Sequence, residues 1–430
     1  MKKYMAFIIV LLFLLTSACS NKTGGNETSL NNSKHPKGTI TVWGWDVAAE
    51  TMSLAVKKFH EKYPDVNVKV EDFNSSDLYD KVTVGLAARG SGLPDVVLME
   101  DERIPGYIHQ FPDGFLKLNK LGYDQYKDSF NPAKLASVQN SNGDFVAAPW
   151  DIGPAGVFYR VDLFKKANVD PESIKTWDDY IEAGKKIKQA TGAKLLPIDI
   201  PNYDGLFQMM LQQQGLSYFD KNGKININSD EAIRSMKIIK SLYKNDLILI
   251  NNGWDGIVTA TVNGSVATVP YGVWYAGTIM DQAPKLKGKW DMFYLPSFKE
   301  GGTRFANVGG SSLLIPSTSK NQSAAYDFVQ FFTTDKDTQL LGFKKFGLFP
   351  SLKETYSDPL FSEKSEYFNN NPVFKKFADI VDQVPEININ ENYARASQHS
   401  TSAQAAILLE NKDIESALKD ASKQLQNEIK

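Results

Sequence analysis

Cysteine is almost missing from this chain: Cys19 is the sole thiol in 430 residues. No intrachain disulfide can form, so the fold has to be held by core burial, for which the length suffices twice over. Histidine is nearly as scarce. His35, His60, His109 and His399 lie far apart, which argues against a histidine metal site. No G-x-S-x-G elbow, H-E-x-x-H helix or Walker loop occurs, so the common signatures of hydrolases, zinc proteases and nucleotide-binding loops are lacking. The formal charge is −2 with no basic stripe, and a nucleic-acid ligand is not expected. The apolar run at residues 5 to 15 falls short of the ~20 residues a membrane-spanning helix needs.

That run is informative for another reason. It follows Met1-Lys2-Lys3 and ends at Thr16-Ser17-Ala18-Cys19, the layout of an export signal. Small residues before the lone cysteine resemble a lipobox, with Thr16 in place of the usual Leu and Leu15 one position earlier. The resemblance implies a signal peptide over residues 1 to 18, lipid on Cys19, and a protein anchored to the cell membrane at its extracytoplasmic face. An ordinary signal peptide with an incidental cysteine is the other reading. Loss of Lys2 and Lys3 with the leader would take the charge from −2 to −4. Residues 19 to 37, rich in Asn, Ser, Thr, Gly and Lys, read as a flexible tether.

Beyond the tether the hydrophobic periodicity alternates between strand and helix. Thr39-Ile40-Thr41-Val42-Trp43 is a β-branched run, Met52, Ala55, Val56, Phe59 and Tyr63 recur at helical spacing up to Pro64, and Val66 to Val70 is extended again. Strand, helix and strand in about thirty residues predict a parallel βαβ unit. Further strands are expected at 95 to 99, 146 to 150, 157 to 159 and 264 to 269. Thr176 before Trp177-Asp178-Asp179 reads as the N-cap of a helix running to Gly192, and Ile233, Met236, Ile239 and Leu242 mark another. The result is an α/β protein, with ligands expected at the carboxyl ends of strands.

Several segments, in order, resemble the extracellular solute-binding proteins, the family that includes maltose-binding protein. They are Phe59-His60-Glu61-Lys62-Tyr63-Pro64-Asp65-Val66, Leu93-Pro94-Asp95-Val96-Val97 and Val157-Phe158-Tyr159-Arg160-Val161-Asp162-Leu163-Phe164. Thr176-Trp177-Asp178-Asp179, Gly272-Val273-Trp274-Tyr275, Gly309-Gly310-Ser311-Ser312 and Ala325-Tyr326-Asp327-Phe328 continue the series. The resemblance implies a periplasmic-binding-protein-like (type II) α/β clamshell of two lobes with a cleft between them. Lobe 1 would hold residues 38 to 150 and 294 to 334, and lobe 2 residues 151 to 293 and 335 to 430. The function implied is capture of a sugar, expected to be an oligosaccharide, for delivery to the permease subunits of an ABC importer, with no cofactor and as a monomer.

The composition agrees with such a ligand. Aromatics make up 12% of the chain and Trp occurs seven times; aromatic faces pack on the C–H patches of sugars, while carboxylates grip their hydroxyls. Aromatics stand beside acids at Trp45-Asp46, Trp150-Asp151 and Trp254-Asp255, and Glu100-Asp101 lies just past the third strand. These eight residues are candidates, together with Trp274, Tyr275, Gly310 and Ser311, whose roles the resemblance implies. Trp274, Trp150 and Asp46 head the set; Arg395, Tyr203 and Gln208 are weaker members. Each has a plainer reading. Trp43 in a strand and Trp177 at a helix start belong in a core, Trp290 gives no indication, and Glu100-Asp101-Glu102-Arg103 reads equally as a solvated turn. Two rival functions stay open at this stage, an exported carbohydrate-active lipoprotein enzyme and a binding protein that feeds a sensor kinase.

Overall fold

The computed structural model describes residues 36 to 140 and 142 to 429, so the export signal, Cys19 and most of the tether lie outside the described residues. Strand β1 (Gly38–Gly44) buries Ile40 and Val42 and leaves Thr39 in water. The helix Asp46–Lys62 turns Met52, Ala55 and Phe59 inward and stops before Pro64, which lacks the N–H to continue it. Strand β2 (Val66–Asp72) then pairs parallel to β1 with Ile40 opposite Val68, the βαβ unit predicted by the periodicity.

Strand β3 (Val96–Glu100) adds to the other side of β1 in parallel. The sheet is completed by distant segments. Strand β10 (Ser311–Leu314) runs antiparallel to β3 and pairs with the short β4 (Ala148–Pro149), giving the order β2-β1-β3-β10-β4. Its core includes Phe59, Val97, Leu98, Trp150, Phe328 and Phe332.

A second sheet is antiparallel throughout. Strand β5 (Ala155–Arg160) lies between β8 (Thr268–Gly272) and β9 (Trp290–Tyr294), while β6 (Leu196–Ile198) and β7 (Ile248–Ile250) form a parallel pair. The alternation of strands and helices therefore does not carry parallel pairing through the whole chain. The strand expected at 264 to 269 begins later, at Thr268, because Gly264 sits at φ +76 and turns the backbone first. Two apolar clusters surround these strands. One gathers Val157, Trp177, Tyr180, Phe207 and Ile239, together with Leu295, Ala306 and Val308 from beyond β9. The other gathers Phe158, Val269, Trp290, Phe343 and Phe377.

The helix Trp177–Thr191 shows local sequence and tertiary packing agreeing. Thr176 caps it, Asp179 returns the bond to the Thr176 N–H in a capping box, and Gly192 ends it in the left-handed region. Trp43, Trp177 and Trp290 are all buried, the first two as expected from their positions.

Candidate functional site

A cavity of about 330 Å³ opens between elements of the first core and elements of the second, within the size range of small-ligand sites. Its two sides differ in chemistry. The side built on the first sheet is acidic: Glu100, the last residue of β3, is followed by Asp101 and Glu102, and all three line the space. The other side is aromatic, with Tyr203, Trp254, Tyr271 and Trp274.

These rings are held against one another. Trp254 and Trp274 are 5.7 Å apart at 40°, Tyr271 meets Trp274 edge-on at 5.3 Å, and Tyr203 stacks on Tyr271 at 6.0 Å. Each comes from a different local cause. Tyr271 is a strand residue of β8, and Trp274 follows the turn after it. Trp254 starts the helix Gly253–Val262, whose first N–H donates to the Asp199 carboxylate at 2.7 Å just past β6. Trp254 keeps 44% of its surface exposed, an unusual amount for a large apolar ring and one that leaves a face available.

Trp274 is the most constrained of the four. Its indole N–H donates to Val308 at 2.9 Å, and Gly153, Gly272 and Gly309 surround that edge of the ring so closely that a Cβ on any of them would come within 3.2 Å of Nε1. The segment carrying Val308 is fixed in turn. Gln212 exchanges two amide hydrogen bonds with the backbone of Asn307, at 2.9 and 2.8 Å, and the Asn307 side chain accepts from Gly153.

The acids are held unequally. Glu100 accepts from Arg103 at 2.8 Å and from Tyr79 at 3.1 Å. Asp101 is buried and takes the Lys134 ammonium at 2.5 Å and the Ser312 hydroxyl at 2.7 Å. Burial raises its carboxyl above the usual range while Lys134 opposes the rise. Glu102 has no hydrogen-bond or ion-pair partner among the described residues. Its side chain is exposed to water at the cavity. Desolvation by the surrounding protein, with Glu100 beside it, brings its carboxyl up to about 7. Among the described residues no group of three or more metal-ligating side chains is assembled; the acidic edge offers hydrogen-bond acceptors.

Of the candidates named from sequence, the structure brings Glu100, Asp101, Trp254, Trp274 and Gly310 to the cavity, and with them Tyr203 and Gln208. The others lie elsewhere. Trp150 is 3% exposed and packs on Phe332 at 5.3 Å, because β4 turns it into the first core. Tyr275 is fully buried and bonds Thr261. Asp151 and Ser311 sit behind the wall, where the Asp151 carboxylate accepts from the Ser311 N–H at 2.6 Å. Asp46 and Asp255 point to open solvent, Trp45 packs on Tyr79, and Arg395 is exposed on the helix Tyr393–Leu409. Cavity residues missed include Lys134, Asp199, Gln212 and Tyr271, while Glu102 stood only in the run read as a solvated turn. Of these, Tyr271 had a local signal, as an aromatic at the end of a strand three residues before Trp274, and Glu102 had one in following Glu100-Asp101.

The chain matches the family model described as bacterial extracellular solute-binding protein over residues 55 to 369. An arabinooligosaccharide-binding protein of Bacillus subtilis is 30% identical over 92% of both chains. A lactose-binding protein of Rhizobium radiobacter is 30% identical over 82% of this chain and 84% of its own. Among solved structures, the ABC transporter associated binding protein of B. animalis subsp. lactis in complex with beta-1,6-galactobiose superposes with a TM-score of 0.73. It is 25% identical and matches over 90% of this chain and 97% of its own.

Proposed function

The chain belongs to the family of bacterial extracellular solute-binding proteins, and from that premise we propose that it captures an oligosaccharide in the aromatic-walled cavity and delivers it to an ABC importer. The observation that carries this reading is the convergence of Tyr203, Trp254, Tyr271 and Trp274 opposite Glu100, Asp101 and Glu102. Flat apolar surface faces hydrogen-bond acceptors across a space large enough for a small ligand, which is the complement of a sugar ring's C–H faces and hydroxyl rim. Relatives and a structural neighbour that bind arabinooligosaccharide, lactose and galactobiose support it.

The fold of the family is a two-lobed α/β clamshell. Lobe 1 is assigned to residues 38 to 150 and 311 to 334, and lobe 2 to residues 151 to 310 and 335 to 430. The return to lobe 1 is drawn at Ser311 instead of residue 294 because Leu295, Ala306 and Val308 pack in the second core. A ligand held by both walls favours closure only through contacts that an open form cannot make. Membership of the family places the chain outside the cytoplasm; a lipid on Cys19 would hold it at the membrane, acting as a monomer without chemistry of its own.

A thermal-shift panel of arabino-, galacto- and malto-oligosaccharides, lactose and amino acids, with product analysis of every hit, tests the reading. A ligand bound only by the native state raises Tm by mass action. Stabilisation by one oligosaccharide class without turnover is the expected result. Turnover would make the protein an enzyme, and stabilisation by amino acids alone would remove the sugar assignment. For the anchor, a Cys19→Ser variant is expected to leave the membrane fraction; unchanged retention would overturn the lipid.

A further inference from the structure

The charge of the cavity narrows the ligand further, on the premise that the ligand is a sugar. Its lining carries four carboxylates, Glu100, Asp101, Glu102 and Asp199, and one ammonium, Lys134. Its charge is already paired: it is buried, donates to Asp101, and gives a second bond to the Ser311 carbonyl at 2.8 Å. Arg103, the nearest guanidinium in sequence, does not line the cavity: it donates through Nε to Glu100 and lies 4.3 Å over the Tyr79 ring. Asp199 accepts from Asn202 at 2.9 Å and from the Gly253 N–H. Glu102 alone presents an unengaged carboxylate to the space.

We propose that the site is selective for uncharged sugars and rejects acidic ones, uronates and sugar phosphates, with Glu102 as the residue that makes the discrimination. A neutral sugar supplies hydroxyl donors that an unengaged carboxylate can accept, as a bidentate pair where two hydroxyls are adjacent. An anionic sugar would give up its hydration and meet like charge, with the one lining cation already paired to Asp101. The aromatic wall does not rescue it, because the ring faces carry the negative end of the quadrupole. The discrimination is thus built from groups on both sides of the cavity and does not depend on the number of sugar rings.

Calorimetric titration of the whole chain at pH 8, where the Glu102 carboxyl is ionised, with matched pairs tests this: lactose against lactose 6′-phosphate, and galactotriose against trigalacturonate. The neutral member of a pair is expected to bind at least about tenfold more tightly, roughly 1.4 kcal/mol. In Glu102→Gln, which keeps the shape and removes the charge, that ratio is expected to shrink severalfold, with Tm recorded to show that the variant is folded. An acidic sugar binding as tightly as its neutral partner overturns the proposal while leaving sugar binding intact. A ratio unchanged in Glu102→Gln overturns the role of that residue. Failure of every sugar, neutral or acidic, would overturn the oligosaccharide reading as well.

Discussion

The indole N–H of Trp274 donates to the carbonyl oxygen of Val308 at 2.9 Å, and this bond joins the aromatic wall to the segment Asn307 to Gly310 that also lines the cavity. The ring is therefore oriented before any ligand arrives, which reduces the side-chain ordering that binding would otherwise require.

Three tryptophans separate binding from stability. Trp274→Ala is expected to weaken the affinity for the bound sugar by about 1–3 kcal/mol, as for other buried aromatic anchors, and also to lower stability because Val308 loses its donor. Trp254→Ala removes a half-exposed ring and is expected to cost affinity with little change in Tm. Trp150→Ala empties a core position and is expected to cost about 3–5 kcal/mol of stability, while the folded fraction binds normally. Denaturant titration beside calorimetry distinguishes the three. Unchanged affinity in both Trp274→Ala and Trp254→Ala would remove the stacking assignment.

Gly153 is packed too closely for any side chain. A Cβ there would lie 2.0 Å from the Val308 oxygen, the same atom that receives Trp274. The obstruction is backbone, so no rotamer relieves it, and Gly153→Ala should displace Val308 and with it the indole. Both Tm and sugar affinity are expected to fall, whereas Gly143→Ala, at an open turn with φ +78, should lower Tm slightly and leave affinity alone. Equal affinities in the two variants would show that the Trp274 seat tolerates displacement.

The rejection of acidic sugars should depend on pH. The Glu102 carboxyl, brought up to about 7 by desolvation and by Glu100, ionises as pH rises through neutrality. Its surroundings include Arg103, Asp101 and Asp204, with Tyr203 and Tyr393 from the facing elements. Uronates are already ionised at pH 6, so the ratio of trigalacturonate to galactotriose dissociation constants is expected to rise severalfold between pH 6 and 8. In Glu102→Gln it should stay flat. An equal rise in the variant would place the titration on Asp101 or Asp204, whose carboxyls burial also raises.

The residues differ in how far sequence alone could place them. Ile40, Phe59 and Val68 announce their elements through period and β-branching, and Thr176 through its cap, because these are local effects. Glu100 and Asp101 were reachable through the rule that crevices open at carboxyl ends of strands. Trp150-Asp151 and Trp254-Asp255 are indistinguishable as dipeptides, yet β4 turns one tryptophan into a core and the helix Gly253–Val262 holds the other half in water. That difference is tertiary. Lys134 is the clearest case: its role depends on Asp101, 33 residues away, and on the Ser311 carbonyl, 177 residues away, and nothing in its neighbours indicates either.

Behind the cavity wall, Asp151 makes stability depend on pH in the direction opposite to an ordinary paired carboxylate. It is 6% exposed, and burial, opposed by Lys134 and assisted by Asp101, brings its carboxyl up to about 6 from 3.8. Between those values the folded state holds a proton that the unfolded state has released. Its contribution is therefore fully present below about pH 4 and is lost as pH rises through about 6. Asp151→Asn keeps the oxygen that accepts the Ser311 N–H and removes the charge, while Asp101 continues to neutralise Lys134. Relative to wild type, the variant is expected to gain on the order of 1–3 kcal/mol between pH 4 and 7, measured as the difference between denaturant unfolding free energies at each pH. A difference that does not vary with pH would mean that Asp151 titrates as it does in the unfolded chain, and that Lys134 is shared between the two acids rather than committed to Asp101.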